Sequence, residues 1–203
     1  MSKKNKKQES KRVLEAEEYY QKGLVYGQES DADGAIECWQ KTVELNPDHF
    51  EAWYNLGNAY DIGKGDLDSA LECWNKALEI KADDIDVLYN MGNAYREHGD
   101  YDKSIQCYKK VVELNLKDHE AWNNMGNAYH GKGEASKAIE SYKEALKIKP
   151  DKYETWYNLG LIYRELREFD QAIKCCQKIL EKFPNSYEVK RLLNTIIEEK
   201  NQE

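Results

Sequence analysis

The sequence predicts an all-α protein built as a solenoid of helical repeats, and three observations carry that expectation. A nonapeptide recurs with small changes: AWYNLGNAY at 52–60, VLYNMGNAY at 87–95, AWNNMGNAY at 121–129 and TWYNLGLIY at 155–163. The starts step by 35, 34 and 34 residues, and a fixed period of this length marks stacked repeats, in which each unit buries its apolar face only against its neighbours. Three prolines, Pro47, Pro150 and Pro184, fall at one place in the period, where a residue that cannot continue a helix closes the unit. The composition, 40% apolar and 33% charged with few prolines, is that of an ordered, helical, soluble chain.

The elements follow in order. Residues 1–12 read as a basic disordered N-terminal tail, because Lys3, Lys4, Lys6, Lys7, Lys11 and Arg12 oppose only Glu9; chain ends of this kind are usually solvated. From residue 13 each unit reads as two helices. The first places Trp53, Leu56, Gly57 and Tyr60 on one side at helical spacing, and a break such as HGD at 98–100 or GKGE at 131–134 ends it. The second carries Ala70, Trp74, Ala77 and Leu78, repeated as Ala138, Tyr142, Ala145 and Leu146, a stripe that a helix buries. Gly57 or Gly126 in one helix and Ala70 or Ala138 in the next permit close backbone approach. A repeat stack also leaves its last apolar face open. The segment 187–203 closes it as a capping helix, with Val189, Leu192, Leu193, Ile196 and Ile197 on one stripe.

Tryptophan, Leu-Gly, Tyr, then Ala, an aromatic, Ala and a closing Pro over 34 residues resembles the tetratricopeptide repeat (TPR) family. The resemblance covers five repeats, 16–49, 50–84, 85–118, 119–152 and 153–186, within one solenoid at 13–203. It implies helix-turn-helix repeats wound into a right-handed superhelix. The first repeat has Tyr19 and Lys22 at the tryptophan and leucine positions; the third has Leu88, Ser104 and Leu116 for tryptophan, alanine and proline. The second repeat is one residue longer, with the extra residue expected in the turn around Gly63 to Gly65.

Several function classes drop out. His49, His98, His119 and His130 fall at different places in the period, three of them near turns, and read as surface histidines. No metal-ligand spacing, phosphate-binding glycine loop or catalytic constellation is present. The expectation is a protein that is not an enzyme and has no metal or cofactor. Cys38, Cys73, Cys107 and Cys175 share one repeat position, too far apart in neighbouring repeats for disulfides; with Cys176 they read as free thiols. A net charge of −8 argues against nucleic acid and anionic membrane as partners. No run of about 18 apolar residues and no secretory leader is seen, so the expected location is cytoplasmic.

In the resembled family the first helices line a concave groove. Its candidate peptide-binding residues here are Tyr20, Tyr54, Tyr89, Asn123 and Tyr157 at the fifth position of each repeat, and Asn55, Asn90, Asn124 and Asn158 at the sixth. Asn58, Asn93 and Asn127 stand at the ninth and Arg96 at the twelfth. An asparagine amide offers both a donor and an acceptor, so a ladder of them can pair with the main chain of an extended peptide; the plainer reading keeps them for packing. Glu17, Glu51, Asp86, Glu120 and Glu154 form an acidic row at the second position. The lysine and arginine clamp with which some TPR proteins hold acidic chaperone tails has no counterpart, which disfavours that ligand. The expected function is a non-catalytic protein-interaction scaffold or adaptor that binds an extended, neutral-to-basic peptide segment of a partner. The alternative is a regulatory or substrate-presenting subunit of an enzyme such as a glycosyltransferase.

Overall fold

A computed structural model describes residues 3–202, with side chains from 8 to 202. Among them are eleven α-helices and no strand: α1 Lys3–Gln28, α2 Ala32–Leu45, α3 Phe50–Asn58, α4 Leu67–Ile80, α5 Ile85–Glu97, α6 Tyr101–Leu114, α7 His119–Gly131, α8 Ala135–Ile148, α9 Tyr153–Glu165, α10 Phe169–Lys182 and α11 Tyr187–Asn201. The chain divides into two compact units, Met1–Ala94 and Tyr95–Glu203, where one continuous body was expected. The division falls inside α5, in the third repeat.

Several helices begin where the sequence supplies an acceptor for their first amides. Asp31, Asp66, Asp100 and Asp118 accept from the N–H groups of Gly34, Ser69, Lys103 and Ala121, satisfying donors that have no partner inside the helix. Glu134 and Glu168 stand at the corresponding position in the last two repeats and make no such bond. Between the two helices of every repeat one residue adopts a positive φ: Ser30, Gly65, Gly99, Gly133 and Arg167, at +61°, +66°, +79°, +82° and +60°. Three are glycine, which takes this conformation without a Cβ penalty.

One local expectation is corrected and another sharpened. The basic leader is helical: from Lys3 onward it forms the first turns of α1, and residues 1 and 2 lie outside the described residues. Lys, Gln, Glu and Arg are good helix formers, and no glycine or proline intervenes before Gly23. A helix nucleated by the packed part of the repeat therefore propagates backward at little cost. Arg12 Nη2 donates to the Glu44 carbonyl at 3.3 Å. The extra residue of the second repeat is taken up by a π-helical turn, Ala59–Lys64, which begins directly after α3 and runs into the expected turn at Gly63 to Gly65. Hydrogen bonds to i+5 absorb one residue without leaving backbone groups unpaired, and Gly65 then ends the turn in the left-handed region.

In the first unit Ala35, Ile36, Trp39, Val43, Ala52, Leu56 and Cys73 make a core against which Tyr20, Leu24, Trp53 and Tyr60 pack. A Cβ at Gly57 would stand 2.5 Å from the indole of Trp74, and one at Gly126 would stand 2.6 Å from the Tyr142 ring. In the second unit Ala121, Ala128, Ala138, Tyr142, Ala145, Ile162, Ala172 and Cys176 are all buried. Of the capping stripe, Val189, Leu192 and Ile196 are buried, whereas Leu193 is half-buried and Ile197 is 39% exposed. The buried line thus runs along 189, 192 and 196, and residue 203 lies outside the described residues.

Candidate functional site

The first helices of the repeats, α1, α3, α5, α7 and α9, position every candidate residue, and side-chain hydrogen bonds tie these helices together within each unit. In the first unit Asn55 Nδ2 donates to Tyr20 Oη at 3.3 Å, and Asn90 Nδ2 donates to Tyr54 Oη at 3.1 Å and to Asn58 Oδ1 at 2.9 Å. Asn58 Oδ1 also accepts from Trp74 Nε1 at 3.2 Å. In the second unit Asn127 Oδ1 accepts from Tyr142 Oη at 2.7 Å and from Asn158 Nδ2 at 3.0 Å. An indole can only donate, so Trp74 fixes which end of the Asn58 amide is oxygen. That in turn makes Asn90 the donor between the two amides.

These bonds leave a patterned remainder. Asn58 and Asn127, at the ninth position, spend Oδ1 inside the protein, and among the described residues their Nδ2 groups donate to nothing and are not buried unpartnered atoms. Asn55, Asn90 and Asn158, at the sixth position, spend Nδ2 and keep Oδ1 open on the same terms. A sixth-position acceptor and a ninth-position donor are the complement of a peptide main chain, which offers one N–H and one C=O per residue. Tyr89, Asn93 and Asn124 engage in interactions of their own. Asn123 Nδ2 donates to Asn124 Oδ1 at 3.3 Å, while its buried Oδ1 has no partner among the described residues; nor has the Nε of Arg96, a residue whose Nη2 lies 3.4 Å from Glu97.

The acidic row is exposed in all five repeats, but its members differ. Glu120 is held by Lys152 Nζ at 3.1 Å, which keeps its carboxyl below the usual range. Glu17 and Glu51 flank His49, at 3.4 Å from Nε2 and 3.3 Å from Nδ1. Asp86 and Glu154 have no ion-pair partner among the described residues. Of the five fifth-position residues, Tyr20 has its hydroxyl pKa raised by burial and then by Glu51, and Tyr157 by burial and then by Glu188.

His49 was expected at the surface, yet its side chain is only 10% exposed. Its Nδ1 accepts from Ala52 N–H at 3.3 Å, capping α3, so Nε2 carries the hydrogen that faces Glu17. Its ring lies 4.6 Å from that of Tyr20. The clue was its place immediately before Phe50, where a helix cap belongs. The asparagine partners Trp74 and Tyr142 were read only as core; a signal for them exists in the register. Asn58 is paired with Trp74 and Asn127 with Tyr142, whereas Leu24 faces Trp39, whose Nε1 is buried without a partner, and Leu161 coincides with Cys176.

Sequence comparison identifies the repeats. A profile described as TPR repeat matches residues 16–61, 63–99 and 92–133, and one described as tetratricopeptide repeat matches 119–152 and 153–186. The chain belongs to the tetratricopeptide repeat family. An uncharacterized protein of Methanocaldococcus jannaschii is 40% identical over 50 residues, a match that spans 25% of this chain and 58% of that protein. A crystal structure of MamA protein superposes with a TM-score of 0.78 at 26% identity, covering 85% of this chain and 94% of MamA. YrrB, described as a TPR protein with an unusual peptide-binding site, superposes at 0.74 with 21% identity, covering 91% and 96%; that likeness is one of fold. No TPR helix of this chain, among the described residues, is long and apolar enough to cross a membrane.

Proposed function

We propose that this TPR protein is a non-catalytic scaffold that holds an extended, neutral-to-basic segment of a partner protein along the face of its first helices. One observation carries the reading: Asn55, Asn90 and Asn158 at the sixth position keep an acceptor open, and Asn58 and Asn127 at the ninth keep a donor open. Each side chain is already oriented by its internal bond, so pairing with a peptide costs little further ordering. The contacts address the peptide main chain and therefore tolerate many side chains. Tyr54 and Tyr157, half-buried and stacked on Phe50 and Tyr153 with ring centroids 6.3 and 6.0 Å apart, offer flat apolar surface with a polar tip. The exposed carboxylates of Asp86 and Glu154 select against acidic peptides and steer basic ones.

The test is selection from a random dodecapeptide library displayed on phage, with the whole protein as bait. The expected consensus is rich in lysine or arginine with no acidic residue, and binds less well to Asp86→Lys/Glu154→Lys. An acidic consensus that maps to this face would reject the reading.

A further inference from the structure

A second surface, in the second unit and not lined by Asn127 or Asn158, lies between the second helices of the last two repeats. A cleft of about 550 Å³ opens between α8 and α10 over α9. Leu146, Trp156, Leu159, Tyr163 and Cys175 form its apolar floor, and Lys143, Lys147, Lys174 and Lys178 stand around it with Glu181 as the one lining carboxylate. All four lysines are exposed. Lys147 pairs with Glu144, and Lys178 with Glu181 at 3.0 Å. Lys143 and Lys174 make no close ion pair among the described residues, Lys174 acting on Asp170 only at longer range, and the Lys143 ammonium lies 5.9 Å from the centroid of the Tyr163 ring.

The preceding repeat supplies a comparison within the same unit. A cleft of about 600 Å³ at the equivalent place has Trp122, Met125 and Tyr129 where this one has Trp156, Leu159 and Tyr163. Its charges are balanced, Lys109 and Lys137 against Glu113 and Glu140: Lys109 corresponds to Lys143, but Glu113 corresponds to Lys147 and Glu140 to Lys174. Glu144, further along α8, corresponds to Lys178. The helix pair packs equally well with glutamate at these positions, so packing does not require the lysines. They concentrate positive charge on one apolar cleft of a chain whose net charge is −8.

We infer that the α8–α10 cleft is a docking site for an acidic protein segment that inserts an apolar side chain over Trp156 and pairs its flanking carboxylates with Lys143 and Lys174. Dispersion and burial on the aromatic floor supply affinity, and the lysines supply selection and a salt-sensitive association rate. The partner's charge is opposite to that suited to the first-helix face, so the two surfaces take different segments.

The test again uses the random dodecapeptide library, now recovering clones that bind the parent protein and are lost on Lys143→Glu/Lys174→Glu. The expected clones carry a leucine or aromatic residue flanked by Asp or Glu. Their affinity should fall roughly tenfold or more in that variant and remain unchanged in Asn58→Asp/Asn127→Asp, which alters only the other face. Both lysines are exposed, so the unfolding midpoint of the charge-reversed variant should match the parent's, showing that the fold is kept. If no acidic clone is recovered, or if acidic clones bind the charge-reversed variant as well as the parent, the assignment is overturned while the reading of the asparagine face stands.

Discussion

At the scale of single residues, Asn58 and Asn127 combine two roles that substitution can separate. Asn127→Ala removes the acceptor of both Tyr142 and Asn158, and a buried donor left unpaired costs about 1–3 kcal/mol. The thermal midpoint should fall by several degrees. Asn127→Asp keeps the accepting oxygen and replaces the outward donor with a second carboxylate oxygen, and should melt close to the parent. Calorimetry of the two variants checks this pair. Ser30 poses a separate question, because it holds φ at +61° where three other repeats have glycine. The left-handed conformation costs roughly 1–2 kcal/mol for an L-residue, partly offset by the entropy that glycine loses on folding. Ser30→Gly should therefore be neutral to stabilising, by up to about 1 kcal/mol in urea titration. The asparagine positions were legible in the sequence; the split of each amide into an inward and an outward half was not, because it depends on a Trp or Tyr 15 or 16 residues further on.

At the scale of elements, the period showed where every helix pair lies because two periodicities agree: a 34-residue repeat, and a helical stripe within it. It failed where a neighbour's influence outweighs composition. The basic leader looked disordered by charge but is continuous with a helix whose far end is packed, and the added residue of the second repeat entered a π turn because that keeps the backbone paired. Packing gives sharper expectations than patterning. Gly57→Ala places a methyl group 2.5 Å from Trp74 and should cost about 1–3 kcal/mol through overpacking. At Gly160 the nearest contact is Cys175 Cβ at 3.2 Å, and Gly160→Ala should be milder by urea denaturation. The cap follows the same logic: Leu192→Asp with Ile196→Asp buries two charges. Hydrogen exchange should then accelerate first in α9, α10 and α11, ahead of α7 and α8.

At the scale of the whole molecule, the buried thiols couple stability to pH. Burial pushes Cys73 and Cys175 up to about 12 and Cys107 and Cys176 up to about 11, from an ordinary 9.0. The folded chain holds these protons more tightly than the unfolded chain does. The stabilisation is complete below pH 9 and is lost as pH rises through about 11 to 12. The urea midpoint should fall over that window, and fall less steeply in Cys73→Ala/Cys175→Ala than in the parent once each is compared with its own value at pH 8. Charge acts at this scale too: a net −8 argues from composition against nucleic acid and anionic membrane as partners, whereas the lysine cleft was hidden because its residues lie on three helices. The most direct test of the central claim, that outward asparagine donors read a peptide main chain, is calorimetric titration of a selected basic peptide into the parent and into Asn58→Asp/Asn127→Asp. Those substitutions add two carboxylates, which would tighten a purely electrostatic attraction for a basic peptide. The account predicts instead a loss of roughly tenfold or more, since each net hydrogen bond is worth about 0.5–1.5 kcal/mol, with an unchanged unfolding midpoint; equal or tighter binding would contradict it.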